Sequence, residues 1–189
     1  MKMENLLSVR AKEDLRAWLC ENSRTEKSCW VVVRMTPTPD TLLYLDAVEQ
    51  ALCFGWIDGT KKKIAETALA QRLSPRSQAS SWTELNKARV RRLEKLGRMT
   101  EEGRRVLPDL RQDAFRIDPV IERRLMEDAK AYEHYSKFPD LYKTVRIDTI
   151  QSYKKDSERF NKRLDKFIAY TRLNKMYGQW NDNGRLLED

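Results

Sequence analysis

The sequence predicts an α+β protein: a small mixed helix and strand N-terminal domain followed by an all-helical C-terminal bundle. Three observations carry this. The run "SCWVVVRM" at 28–35 is β-branched and aromatic and lies between two stretches of helical periodicity. A second strand signal, "TALAQRLSP" at 67–75, follows the glycine-bounded "GWIDG". After "RQDAFRIDP" at 111–119 the composition is wholly helical. The domain boundaries expected from these shifts are 1–112 for the α+β domain, 113–178 for the helical domain and 179–189 for a C-terminal tail.

Each element has a local reason. Residues 8–22, "SVRAKEDLRAWLCEN", repeat Leu15, Trp18 and Leu19 at helical spacing, with Ser8 available as a cap. "TPTPD" at 36–40 is a proline-rich turn after the first strand. From Tyr44 to Phe54, Ala47, Val48, Ala51 and Leu52 share a helix face, and Asp46 and Glu49 lie towards the favourable N-terminal end. Gly55 can adopt the left-handed conformation that stops this helix. "WIDGTKKK" then reads as a short strand or turn. The loop "SQASSW" leads to a helix at 82–96, where Ser81 and Glu84 form an S-x-x-E capping box and Gly97 ends the run. Thr100 caps a short helix at 101–106.

In the second half the spacing predicts one helix over 119–133. Another runs from Pro139 to Lys155, with proline at its first position. A third covers 157–175, capped by Asp156 and striped by Phe160, Leu164, Phe167, Ile168 and Thr171. Trp180 can tether the tail to the body.

Composition bounds the function. Apolar residues make up 40% and charged residues 35% of 189, too apolar for a disordered chain and too polar for a membrane protein. No apolar run approaches the roughly 18 residues of a transmembrane helix. The charge-punctuated start "MKMENLLSVRAKEDLRAW" is unlike a secretory signal, so a cytoplasmic protein is expected. Cys20, Cys29 and Cys53 are odd in number, form no C-x-x-C pair and share the chain with one histidine, His134. A zinc site needs about four N, S or O ligands, so no metal is expected and the cysteines read as reduced and mostly buried, Cys20 excepted. No G-x-G-x-x-G, phosphate-cradling P-loop or G-x-S-x-G occurs, and no cofactor is expected. Cys53 near a helix C-terminus, with no histidine beside it, is a poor nucleophile. His134 reads as a surface residue.

The net charge of +8 is concentrated in residues 76–112, where ten Lys and Arg face five Asp and Glu. That segment reads either as a solvated helix face or as a nucleic-acid contact. Within it, the helix at 82–96 aligns Trp82, Leu85, Leu93 and Leu96, and Asn86 and Arg89 fall inside that apolar stripe. Glu84, Lys87, Arg91, Glu94 and Lys95 fall opposite. Burying an unpaired amide costs about 1–3 kcal/mol and an unpaired charge more, so Arg89 requires a partner. Asp58 is the carboxylate expected to supply it, with Arg72 and Arg76 in the same patch. One reading is a buried Arg–Asp–Asn network that fastens helix to sheet. The other is a pocket for a small anionic ligand or a protein partner lined by Trp56, Asp58, Arg72, Arg76, Trp82, Asn86 and Arg89. A small enzyme using the same patch on an anionic substrate, and nucleic-acid binding through 76–112, remain alternatives.

The blocks "ALCFGWIDGTKKK" at 51–63, "QRLSPRSQASSWTELNKARVRRLEKLGRMTEEG" at 71–103 and "FPDLYKTVRIDTIQSYKKDSERFNKRLDKFIAYTRLNKMYG" at 138–178 resemble the bacterial YdeI/OmpD-associated, or bacteriocin-protection, family. The last block is similar to that family's helical domain. One departure is Leu43, where family members often carry a capping Ser or Thr before the tyrosine that matches Tyr44. The resemblance implies a role in resistance to bacteriocins or cationic antimicrobial peptides with an envelope connection, and it implies no catalytic residues. A chain of net charge +8 repels cationic peptides, which favours an indirect stress role over direct sequestration.

Overall fold

The structure, a computed structural model, describes residues 3–77 and 80–187. The expected loop through Gln78 and Ala79 therefore lies partly outside the described residues. The chain divides into two compact units, Met1–Ser81 with Arg89–Pro108, and Trp82–Ala88 with Asp109–Asp189.

The first unit is built on a four-stranded sheet in the order β1-β2-β4-β3. Its strands are β1 (Leu6–Leu7), β2 (Cys29–Val33), β3 (Trp56–Lys63) and β4 (Leu69–Pro75). β1 runs parallel to β2, while β4 is antiparallel to both β2 and β3. The predicted strand pair is therefore present as the β3–β4 hairpin. β1 was not expected. Two residues carry no periodicity, and the strand exists because it pairs with Trp30 and Val31. Asn5, left-handed at φ 57°, donates its amide to Ser28 O at 3.1 Å and anchors the pairing.

Helix α1 (Lys12–Asn22) starts four residues later than predicted. Ser8 does not cap it. Asp14 folds back instead, accepting from the Arg10 and Ala11 N–H groups at 3.0 Å each, and these bonds hold its carboxyl below the usual range. Helix α2 (Tyr44–Cys53) buries Ala47 through Cys53 without interruption, so it is a core helix rather than a one-faced one. It ends as predicted, with Gly55 at φ 73°. Leu15, Leu19, Val31, Val33, Ala51, Leu52, Trp56 and Leu73 form the heart of this unit, each at most 1% exposed.

Helix α3 (Glu84–Lys95) is shared in sequence between the units. Its cap is Thr83, not Ser81: the Thr83 hydroxyl accepts from Asn86 N–H at 3.2 Å and its carbonyl accepts from Lys87 N–H at 3.0 Å. Two assignments on this helix reverse. Glu84 is buried, its side chain paired with Lys87 at 2.7 Å and its N–H donated to Asp148 at 3.0 Å. Leu96 is 47% exposed because the helix closes at Lys95 and Gly97 turns the chain at φ 65°. Helix α4 (Glu101–Arg104) is capped by Thr100 as expected, through Gly103 N–H at 3.2 Å.

The second unit is helical: α5 (Pro119–Met126), α6 (Ala129–Lys137), α7 (Asp140–Gln151) and α8 (Ser157–Arg172). The single helix predicted over 119–133 is two. Asp128 leaves helical geometry and caps α6 through Ala131 N–H at 3.0 Å, a break that no glycine or proline announces. Pro139 is the N-cap of α7 rather than its first residue, and Pro119 occupies the first position of α5. Asp156 caps α8 as expected, accepting from Arg159 N–H at 3.1 Å. Ile121, Leu125, Tyr142, Ile147, Leu164 and Phe167 make the core, and Trp180 packs edge-on against Tyr142 with centroids 5.5 Å apart. No helix among the described residues is long and apolar enough to cross a membrane.

Candidate functional site

Asp58 is the third residue of β3 and stands just before a bulge. Pairing passes from Asp58↔Leu73 to Lys61↔Gln71, so β3 carries one extra residue there. The extra carbonyl is not left orphaned: the buried Gln71 amide donates to Gly59 O at 2.9 Å. The first turn of α2 brings Tyr44 over this point, and its hydroxyl donates to Asp58 Oδ2 at 2.7 Å. Arg76 follows the end of β4, opposite the start of β3. Its backbone N–H donates to Gly55 O at 2.9 Å and its guanidinium to Ser81 O at 3.1 Å. Arg76 is 7% exposed; burial pushes its pKa below the ordinary guanidinium range, and the Asp58 charge beside it opposes that shift. At this end of the hairpin a phenol bonds a carboxylate whose charge acts on a buried guanidinium. Such a group can accept and donate hydrogen bonds together, in surroundings drier than bulk water.

The remaining predicted residues distribute as follows. Trp56 is 1% exposed, donates its indole N–H to Ser23 O at 3.2 Å and meets Trp18 edge-on at 5.9 Å, so it backs the site from the core. Arg72 is half-buried and stands opposite Trp30 in register. Arg89 is buried on the part of α3 that belongs to the first unit. Trp82 and Asn86 belong to the second unit, Trp82 half-buried and Asn86 buried. Sequence reasoning missed Tyr44, read only as a helix start. It also missed the pair of half-buried Arg92 with buried Glu49 at 3.1 Å. The available signal was Glu49 and Gln50 lying between Val48 and Ala51: polar side chains on a helix buried all round require partners.

Other candidate chemistry is restrained by its surroundings. Burial pushes the Cys53 thiol up and the Cys29 thiol to about 12, which opposes thiolate formation in both. Cys20 is exposed. His134 is half-buried rather than on the open surface, and its Nδ1 donates to Thr171 O at 3.0 Å, tying α6 to α8. Several cations of the basic segment are engaged by neighbouring acids: Arg92 by Glu49, Lys87 by Glu84, Arg104 by Glu94 and Glu101, and Arg111 by Asp109. Among the described residues no group of three or more His, Cys, Asp or Glu side chains could hold a metal ion.

Residues 7–106, more than half of the 189, match a family described as a domain of unknown function (DUF8412). Residues 114–174 match the family described as bacteriocin-protection, YdeI or OmpD-associated. The two N-terminal blocks of the resemblance fall within the first match, and the C-terminal block falls within the second except for its last four residues, 175–178. No curated protein and no solved structure matches the chain.

Proposed function

We propose, from the premise that the chain belongs to the family of this N-terminal domain of unknown function and carries a YdeI/OmpD-associated helical domain, that it is a cytoplasmic binding protein acting in bacteriocin or antimicrobial-peptide resistance. It acts without chemistry of its own, through an anionic ligand or protein partner taken up where Tyr44, Asp58 and Arg76 meet. Trp56, on the same face of β3 as Asp58, forms its rigid backing, whereas Arg72, opposite Trp30 in register, lies on the other face of the sheet. The observation that carries the reading is the Tyr44–Asp58 hydrogen bond of 2.7 Å beside a guanidinium only 7% exposed. A fastening role alone requires no oriented carboxylate at a bulge, and bulges recur where a side chain must be re-aimed. Direct capture of a cationic peptide is disfavoured by the net charge of +8, so protection runs through an intracellular partner.

The test compares bacterial survival under a cationic antimicrobial peptide with and without expression of the chain, and with Asp58→Asn in its place. Asp58→Asn keeps an acceptor for Tyr44 and removes the charge. Protection by the parent chain and loss of protection by a variant of unchanged melting temperature is the expected result. Equal survival with and without the parent chain sinks the protective role. Full protection by Asp58→Asn makes the Asp58 group architectural.

A further inference from the structure

The helical unit holds a second polar feature, independent of the Asp58 group. Helix α8 carries Arg159, Lys162, Arg163 and Lys166 at positions i, i+3, i+4 and i+7, a single stripe beside the apolar one formed by Phe160, Leu164, Phe167 and Thr171. Like charges at i, i+4 destabilise a helix by a few tenths of a kcal/mol per pair, so helix stability by itself does not account for the stripe. It lines a cavity of about 400 Å³, closed from α7 by Arg146 and walled by Tyr153 and Tyr177. No carboxylate lines it; Asp156 engages Arg159 at 3.2 Å, and no described acid pairs with Lys162, Arg163, Lys166 or Arg146.

The cations are held in place without being neutralised. Arg163 stacks on Tyr153 at 4.2 Å, and Lys166 and Arg146 approach the Tyr177 ring at 5.0 and 5.6 Å. Arg146 donates to Gln179 O at 2.7 Å, while its Nε is shielded from solvent and has no hydrogen-bond partner. Gly178 leaves room for this guanidinium: a Cβ there would stand 2.5 Å from Arg146 Nη1. With the tyrosine faces occupied by cations, the cavity offers a ligand N–H donors and positive charge rather than a stacking surface. Guanidinium forks and ammonium groups around a space of small-molecule size match phosphate oxygens.

We infer that this cavity is a binding site for an anion bearing two or more phosphate groups, held by Arg146, Lys162, Arg163 and Lys166. The site needs no chemistry from the Asp58 group and stands or falls apart from it.

The test is calorimetric titration of the full chain with inorganic pyrophosphate, and in a second arm sedimentation with vesicles of phosphatidylcholine containing cardiolipin, whose headgroup bears two phosphates, against vesicles of phosphatidylcholine alone. Binding is expected to weaken about tenfold or more in the double variant Arg163→Gln, Lys166→Gln, since each removes a charged donor. The double variant Lys27→Gln, Lys63→Gln removes the same charge from exposed positions of the first unit and is expected to keep parental affinity. The single variant Lys162→Gln, whose exposed side chain has no described partner, provides a loss of affinity without a packing change. Pyrophosphate binding with this pattern supports a free phosphate compound as ligand. Vesicle binding alone, with the same pattern, supports the site and assigns the phosphates to lipid headgroups. No binding in either arm, or equal loss in the Lys27 and Lys63 control, overturns the inference.

Discussion

Replacing Gly103 by alanine tests the packing of the first unit at its tightest point. A Cβ at Gly103 would lie 2.2 Å from Cys53 O, 2.8 Å from Cys53 C and 2.8 Å from Met99 Cε. Met99 could swing aside, but the Cys53 carbonyl is backbone at the end of α2 and cannot. That carbonyl also holds α4, accepting from Thr100 N–H at 3.1 Å and from the Thr100 hydroxyl at 2.7 Å. Relief of the clash therefore moves α4 away and strains or breaks both bonds. Overpacking costs about 1–3 kcal/mol and each lost hydrogen bond about 1 kcal/mol, so a loss of roughly 2–5 kcal/mol is expected. For a unit of this size about 1 kcal/mol shifts the melting temperature by 4–8 °C, which puts the fall at about 10 °C or more. Differential scanning calorimetry reads it. Gly59→Ala is the control, because the added methyl meets only Arg72 O at 3.9 Å and the backbone there is not left-handed. That variant is expected to melt at or slightly above the parent, since alanine restricts the unfolded chain. A Gly103→Ala protein melting no lower than the parent refutes the contact and the α2–α4 geometry with it.

Three further outcomes follow from the same structure. Trp180→Ala removes a ring that is 9% exposed and packed on Tyr142, so urea denaturation of the helical unit should show a loss of about 3–5 kcal/mol, and an unchanged midpoint would detach the tail from the core. Burial, with the Glu84 charge adding to it, raises the Asp148 pKa from its ordinary 3.8. A raised carboxyl favours the fold below that value and loses its contribution as pH rises through the folded pKa. Asp148→Asn, which keeps an acceptor for Glu84 N–H, should therefore gain on the parent as pH rises above 3.8, and a difference that stays flat or shrinks contradicts the burial argument. A thiol-reactive aromatic disulfide should titrate Cys20 rapidly in the native protein, and Cys29 and Cys53 only on unfolding; three fast thiols would contradict their burial.

Elements whose cause lies within a few residues were legible in the sequence. The 3.6-residue spacing of Ala47, Val48, Ala51 and Leu52, the stop at Gly55, the caps at Thr100 and Asp156 and the β-branched run in β2 each depend on neighbours close along the chain. Those interactions form in any context that buries the apolar face, so pattern is enough to find them. The Asn86 and Arg89 positions could also be read as inward-facing, because their helical angle is local. Only the tertiary structure decided what meets across long sequence separations. Leu6 and Leu7 become a strand through pairing with Trp30 and Val31, Asp58 finds Tyr44, and Glu49 finds Arg92. Gly103 is required by the backbone of Cys53, and the mixed-charge run at 154–163 contributes Arg159, Lys162 and Arg163 to a cavity closed from another helix by Arg146. Such contacts depend on register, bulges and helix packing, where a displacement of one residue changes the partner while leaving the local pattern intact. Sequence periodicity therefore determined which faces turn inward except at helix ends such as Glu84 and Leu96, and tertiary packing determined what each buried polar group meets there.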